Sequence, residues 1–201
     1  MKIIAVTDNK METSQLLVTL LSIESFIDAV ILREKSKTDA EVISLIHQLI
    51  EFGFNANKIV VHGRTHIAAI TSIKKVQLPG NCVPLINTNN HFPNLSFGRS
   101  VHSLDDAEGA YKAGADWILY GHLFATTSKE GLPPRGTDEI FRIAKSIPIP
   151  VYAIGGIQPH HLLQLNQGGV AGVAVMSSIF GAANPEAAAK AYKDASHVAS
   201  S

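Results

Sequence analysis

Apolar positions along the chain fall into two alternating patterns. Short, nearly uninterrupted apolar runs occur at Lys2–Thr7, Ala29–Arg33, Ile59–His62, Lys75–Leu78, Leu95–Arg99, Trp117–Gly121, Val151–Ile154 and Gly172–Val175. Runs this short that fail to alternate read as strands covered on both faces, the condition of a parallel sheet between helices. Helical spacing fills the gaps. Thr38–Phe52 sets Val42, Leu45, Ile46 and Leu49 on one stripe, with Asp39 in the first turn where an acid suits the helix dipole. Leu104–Ala113 follows Ser103, a good N-cap, and stops at Gly114. Thr137–Ser146 and Pro185–Tyr192 behave similarly, the latter starting after Asn184. Helical pattern is weak after the third and fourth runs, and the Asn- and Pro-rich segment Asn81–Pro93 reads as mostly loop.

Eight strand signals alternating with helices predict a (β/α)8 barrel, one domain across residues 1–201. The alternative is an open doubly wound sheet, whose glycine fingerprint should follow the first strand. There the chain reads Asp8-Asn9-Lys10. Its glycine-rich turns come instead after the seventh and eighth strands, where barrels commonly hold phosphate.

Composition narrows the function. Seventeen Lys and Arg balance seventeen Asp and Glu, with no basic block, so neither nucleic acid nor a membrane is an expected partner. The single cysteine, Cys82, forms no internal disulfide, and no apolar stretch reaches spanning length, which together point to the cytoplasm. Oligomeric state stays open, a homo-oligomer included.

The candidate phosphate grip comprises Gly155 and Gly156 after the seventh strand, and Met176, Ser177 and Ser178 after the eighth. The glycines let backbone N–H groups approach an anion, and the serines add donors at the start of a short helix. The competing explanation is two tight turns with no ligand.

The stretches ILREKSK (31–37), FGRSVHS (97–103), GADWILYGHLFATTSKEG (114–131), PVYAIGGI (150–157) and GVAVMSSIF (172–180) resemble thiamine phosphate synthase and its relatives, in order along nearly the whole chain. The resemblance implies a (β/α)8 barrel. The synthases join a thiazole phosphate to a pyrimidine pyrophosphate with Mg²⁺, held by acids after the third and fourth strands. Here the third-strand stretch reads His62-Gly63-Arg64-Thr65-His66 and the fourth Gln77-Leu78-Pro79-Gly80-Asn81-Cys82, with both acids gone. The sixth strand ends in Gly121-His122 rather than Gly-Pro. That histidine resembles the thiazole tautomerase (TenI-like) branch. The branch implies an isomerase that aromatises a carboxythiazole ethyl phosphate by moving a proton, with no cofactor and no metal.

On that reading His122 is the catalytic acid–base, since imidazole can take and return a proton near neutral pH. Arg33 would bind the substrate carboxylate, Lys35 would add charge, Ser100 would donate to the ligand, and Phe124 would pack on its ring. Blander roles compete: a structural histidine at His122, and an ion pair from Arg33 to Glu34. His62, His66 and His102 form the one set that could invite Zn²⁺, but no nearby acid completes it. His160 and His161 begin a helix, His47 lies within one, His91 sits in a loop and His197 in the tail; all five read as bland. Two further functions stand beside the isomerase: thiamine phosphate synthase itself, and a non-catalytic protein that binds thiazole or thiamine phosphates and regulates others.

Overall fold

The computed structural model describes residues 1–82, 84–126 and 131–200. Eight parallel strands close into a barrel in chain order. They are β1 (Lys2–Val6), β2 (Ala29–Leu32), β3 (Ile59–His62), β4 (Lys75–Leu78), β5 (Ser96–Val101), β6 (Trp117–Gly121), β7 (Val151–Ile154) and β8 (Gly172–Val175). The seam is a parallel pairing of β1 with β8, in which Lys2, Ile3, Ile4 and Ala5 lie opposite Gly172, Val173, Ala174 and Val175. Around the barrel run α1 (Thr13–Ile23), α2 (Asp39–Glu51), α3 (Thr65–Ile70), α4 (Leu85–His91), α5 (Leu104–Lys112), α6 (Asp138–Ser146), α7 (Leu162–Gln167), α8 (Ser177–Phe180) and α9 (Pro185–Ser200). The architecture is the (β/α)8 barrel the pattern predicts. Among the described residues no helix is long and apolar enough to cross a membrane.

The non-alternating strands are explained by two separate apolar layers. Ile4, Val6, Ile31, Val60, Leu119 and Ala174 point into the barrel, packed with Trp117, Tyr152 and Ile154. Their neighbours Ile3, Ala5, Val30, Val61 and Ile118 point outward into a larger layer shared with the helices. Both faces of each strand are dry, so both must be apolar.

Caps fix the helix starts. Thr38 accepts from the Glu41 backbone N–H while the Glu41 carboxylate accepts from Thr38 N–H at 2.7 Å, a reciprocal box at the head of α2. Ser103 caps α5 by accepting from Asp106 N–H, and Asn184 caps α9 by accepting from Ala187 N–H at 2.9 Å. Three expectations change. The loop expected at Asn81–Pro93 contains α4, which starts directly after Pro84 and puts His91 at its last turn. The last helix runs on past Tyr192 to Ser200, so His197 is helical rather than in a tail. β5 extends two residues further than its apolar run, which brings Ser100 into the strand.

Candidate active site

A cavity of about 240 Å³ opens at the C-terminal ends of the strands. In this fold that end is the one that carries chemistry. Eight of the residues singled out from sequence line it together: Arg33, Ser100, His122, Gly155, Gly156, Met176, Ser177 and Ser178. Two do not. Lys35 is exposed on the rim. Phe124 stacks its ring on His161, with centroids 3.8 Å apart, and is not among the described residues that line the cavity. Its N–H donates to Gly155 O at 3.0 Å, which prolongs the β6–β7 pairing. Residues 127–130 of the sixth-strand motif lie outside the described residues.

The glycine pair is demanded by backbone crowding. Gly155 sits at φ +103°, and a Cβ there would lie 2.4 Å from the His122 Cβ. Gly156, at φ +66°, would meet Ala125 O at 2.3 Å. Any side chain at either position would push the β6 loop, and His122 with it, off β7. Gly155, Gly156 and Ile157 donate to no backbone carbonyl among the described loop contacts, so their N–H groups are spare. Behind them Tyr192 of α9 donates its buried hydroxyl to Ile157 O at 2.7 Å, fixing the turn. Burial raises the Tyr192 pKa, which keeps that hydroxyl protonated. Gln158 reaches across to the Ser178 hydroxyl at 3.3 Å and joins the two turns.

Arg33 lies just past β2, its N–H bonded to the buried Thr7 hydroxyl at 2.8 Å. Its guanidinium makes no ion pair among the described residues. The Glu34 partnership does not form, because Glu34 turns to the other side and meets Lys37 Nζ at 2.6 Å. His122 follows a cis Gly121–His122 peptide. Its Nε2 is buried and without a hydrogen-bond partner. A buried polar atom left so is costly, which marks it as a group awaiting something to bind.

Sequence reasoning missed the remaining polar wall. Gln77, fully buried on β4, donates to the Ser100 hydroxyl at 3.1 Å and accepts from Trp117 Nε1 at 2.8 Å. Ser100 thereby receives one hydrogen bond and keeps its own proton for the cavity. A glutamine inside the apolar run KVQL was the available signal. His102 and His62, weighed only as zinc candidates, line the same cavity as His122. His102 Nδ1 lies 2.8 Å from Gly121 O, so Nδ1 carries the proton and Nε2 is left an acceptor. Burial, reinforced by Arg33, Lys35 and Arg64, lowers the His62 pKa to about 4, leaving it neutral. His66, the third zinc candidate, turns away to Asp39 at 2.7 Å.

Among the described residues no carboxylate lines the cavity, and no group of three or more His, Cys, Asp or Glu is arranged to hold a metal. Mg²⁺ requires hard oxygen ligands, usually carboxylates with substrate phosphates. The described donor set, a guanidinium, imidazoles, hydroxyls and backbone N–H groups, suits an anion and does not fit that ion.

The fold and mouth thus define a (β/α)8 barrel with a donor-lined cavity that has no carboxylate among the described residues. The model of the family described as thiamine monophosphate synthase matches residues 3–179. The chain belongs to that family. It is 34% identical over 180 residues to the thiamine-phosphate synthase of Haloarcula marismortui, covering 87% of this chain and 85% of that one. It is 31% identical over 163 residues to the thiamine-phosphate synthase of Anaeromyxobacter dehalogenans, covering 80% and 73%. The solved thiamine phosphate pyrophosphorylase of Pyrococcus furiosus superposes with a TM-score of 0.83 at 27% identity, over 98% of this chain and 96% of that one. A 3-hexulose-6-phosphate synthase, at 17% identity and a TM-score of 0.78, shares the fold. The expectation of an isomerase is corrected by these relatives. They carry the name of a synthase, a transferase activity. The single histidine after β6 was too narrow a basis for assigning a reaction class.

Proposed function

We propose that the chain is a transferase of the thiamine-phosphate synthase kind that holds a phosphorylated heterocycle of the thiamine pathway at the barrel mouth. The observation carrying this reading is the convergence, among the described residues, of the spare N–H groups at Gly155 and Gly156, an Arg33 with no ion pair and a buried, unpartnered His122 Nε2 on a cavity that none of those residues lines with a carboxylate. The thiazole phosphate seats its phosphate between the turns after β7 and β8, against Met176, Ser177 and Ser178. Arg33 faces the second anionic group, the pyrophosphate of the pyrimidine partner, and Lys35 adds charge at the rim. The ring-nitrogen lone pair of the thiazole forms the new C–N bond, the C–O bond to pyrophosphate breaks, and pyrophosphate leaves with its electron pair. Ser100 and His122 orient the rings by hydrogen bonds, while Phe124 props the β6 loop from outside. Among the described residues the wall offers Mg²⁺ no carboxylate.

The lack of a carboxylate among the described wall residues also favours a second reading, a protein that binds these phosphates without turning them over. One experiment separates the two: a coupling assay with both substrates, run with Mg²⁺ and with chelator, beside calorimetric binding of each substrate. Thiamine phosphate formation above background establishes the transferase. Tight binding with no product in either condition overturns it in favour of the binding protein.

A further inference from the structure

Beside the main cavity lies a second chamber of about 30 Å³, between β2, β3 and α2. Leu32, Val42 and Val61 form its apolar side, and Glu34, His62 and Arg64 its polar side. That volume holds one water, provided polar partners are present. They are. Glu34 Oε1 and Arg64 Nη1 are both buried without a hydrogen-bond partner. Arg64 Nη1 lies 3.2 Å from an Asp39 oxygen but makes no hydrogen bond to it. The other Glu34 oxygen is committed to Lys37, in a pair whose side chains are only 1% and 10% exposed. Glu34 is therefore a buried carboxyl group, paired with Lys37 through one oxygen and still in need of a donor at the other.

His62 borders both spaces. Its ring stands in the wall between the chamber and the main cavity, where burial first, and Arg33, Lys35 and Arg64 after it, disfavour a second proton against the pull of a hydrogen bond to its own backbone. A neutral imidazole has one N–H and one lone pair, and whatever engages one nitrogen decides what the other offers.

We propose that one ordered water in this chamber joins Glu34 Oε1 to His62, holding the imidazole proton on the chamber side and turning its lone pair toward the main cavity. Glu34 is then a positioning residue that acts through His62. The lone pair of His62 adds an acceptor beside Arg33 to the one that His102 Nε2 already offers the same cavity. This rests on the proposed reading that the cavity holds a phosphorylated heterocycle.

The water relay is tested without ligand. Imidazole ¹⁵N spectra of the wild-type protein should show His62 as one neutral tautomer from pH 8 down to pH ~5, consistent with its depressed pKa. Glu34→Leu combined with Lys37→Met removes both charges together, so no buried charge is stranded; Glu34→Gln serves as the second variant. Each should convert the single tautomer to a mixture. A mixture already present in wild type, or an unchanged tautomer in a folded double variant, overturns the relay. Failure of the coupling assay with a single His62 tautomer would sink the transferase reading and leave the relay standing.

Discussion

Gln77 and Ser100 form a fixed pair across β4 and β5: the carboxamide donates to the hydroxyl at 3.1 Å and is itself held by the Trp117 indole at 2.8 Å. The space for this stack exists because β5 has Gly98, where a Cβ would lie 1.9 Å from Trp117 Nε1. Gln77→Leu leaves the indole N–H without its acceptor and lets the hydroxyl rotate. Urea unfolding should show a loss of about 1–3 kcal/mol, the cost of stranding a buried donor. Phosphate-ester affinity should fall in the same variant, measured by calorimetry.

A pair of glycine variants separates backbone strain from crowding. Gly155→Ala and Gly53→Ala both place a side chain at positive φ, +103° and +92°. The added methyl meets nothing within 4 Å at Gly53 but would lie 2.4 Å from His122 Cβ at Gly155. Gly53→Ala should cost roughly 1–2 kcal/mol, the conformational term alone. Gly155→Ala should cost clearly more in thermal unfolding and abolish phosphate binding. Equal losses would show that His122 does not lean on that turn.

The acid limb of the stability profile should carry the mark of His62. Its pKa falls from 6.5 in the unfolded chain to about 4 in the folded one, through burial first and the neighbouring cations second. The unfolded chain then binds more protons, so stability is full above pH 6.5 and is lost as pH falls toward 4. His161, lowered mainly by burial, adds its own slope in the same direction. Denaturant midpoints followed from pH 8 to pH ~4 should decline less steeply in His62→Asn than in wild type. Identical slopes would assign the whole limb to other groups.

Tyr192 couples the last helix to the anion turn. Tyr192→Phe removes only the hydroxyl that meets Ile157 O at 2.7 Å. Stability should drop by about 1 kcal/mol, and inorganic phosphate should bind more weakly because the turn is no longer anchored. Unchanged phosphate affinity would mean the turn holds its shape without α9.

Much of the fold was legible because its strands are dry on both sides, and that burial writes an apolar run into the sequence. β3, β4, β6, β7 and β8 keep the limits their runs predict. What hid was structure that burial does not write. α4 lies in an Asn-rich stretch with only Leu85 fully buried, so it carries no stripe. At the site, the glycine turns and His122 stood out because residue type announces them. Gln77, His62 and His102 did not, since their meaning depends on neighbours contributed by other strands. The stacking of Phe124 on His161 was hidden for the same reason, since the two lie on separate elements.

The acids and bases of the whole chain cancel, while Arg33 stands unpaired in a wall that has no carboxylate among the described residues. A molecule without net charge sends little field past a Debye length of ~8 Å, so it does not pull dianions in from bulk solution faster than neutral molecules of their size. Such visitors should collide with the mouth equally often and differ in how long they linger. Discrimination in this protein belongs to departure rather than arrival, and added salt should shorten residence while leaving encounter rates nearly untouched.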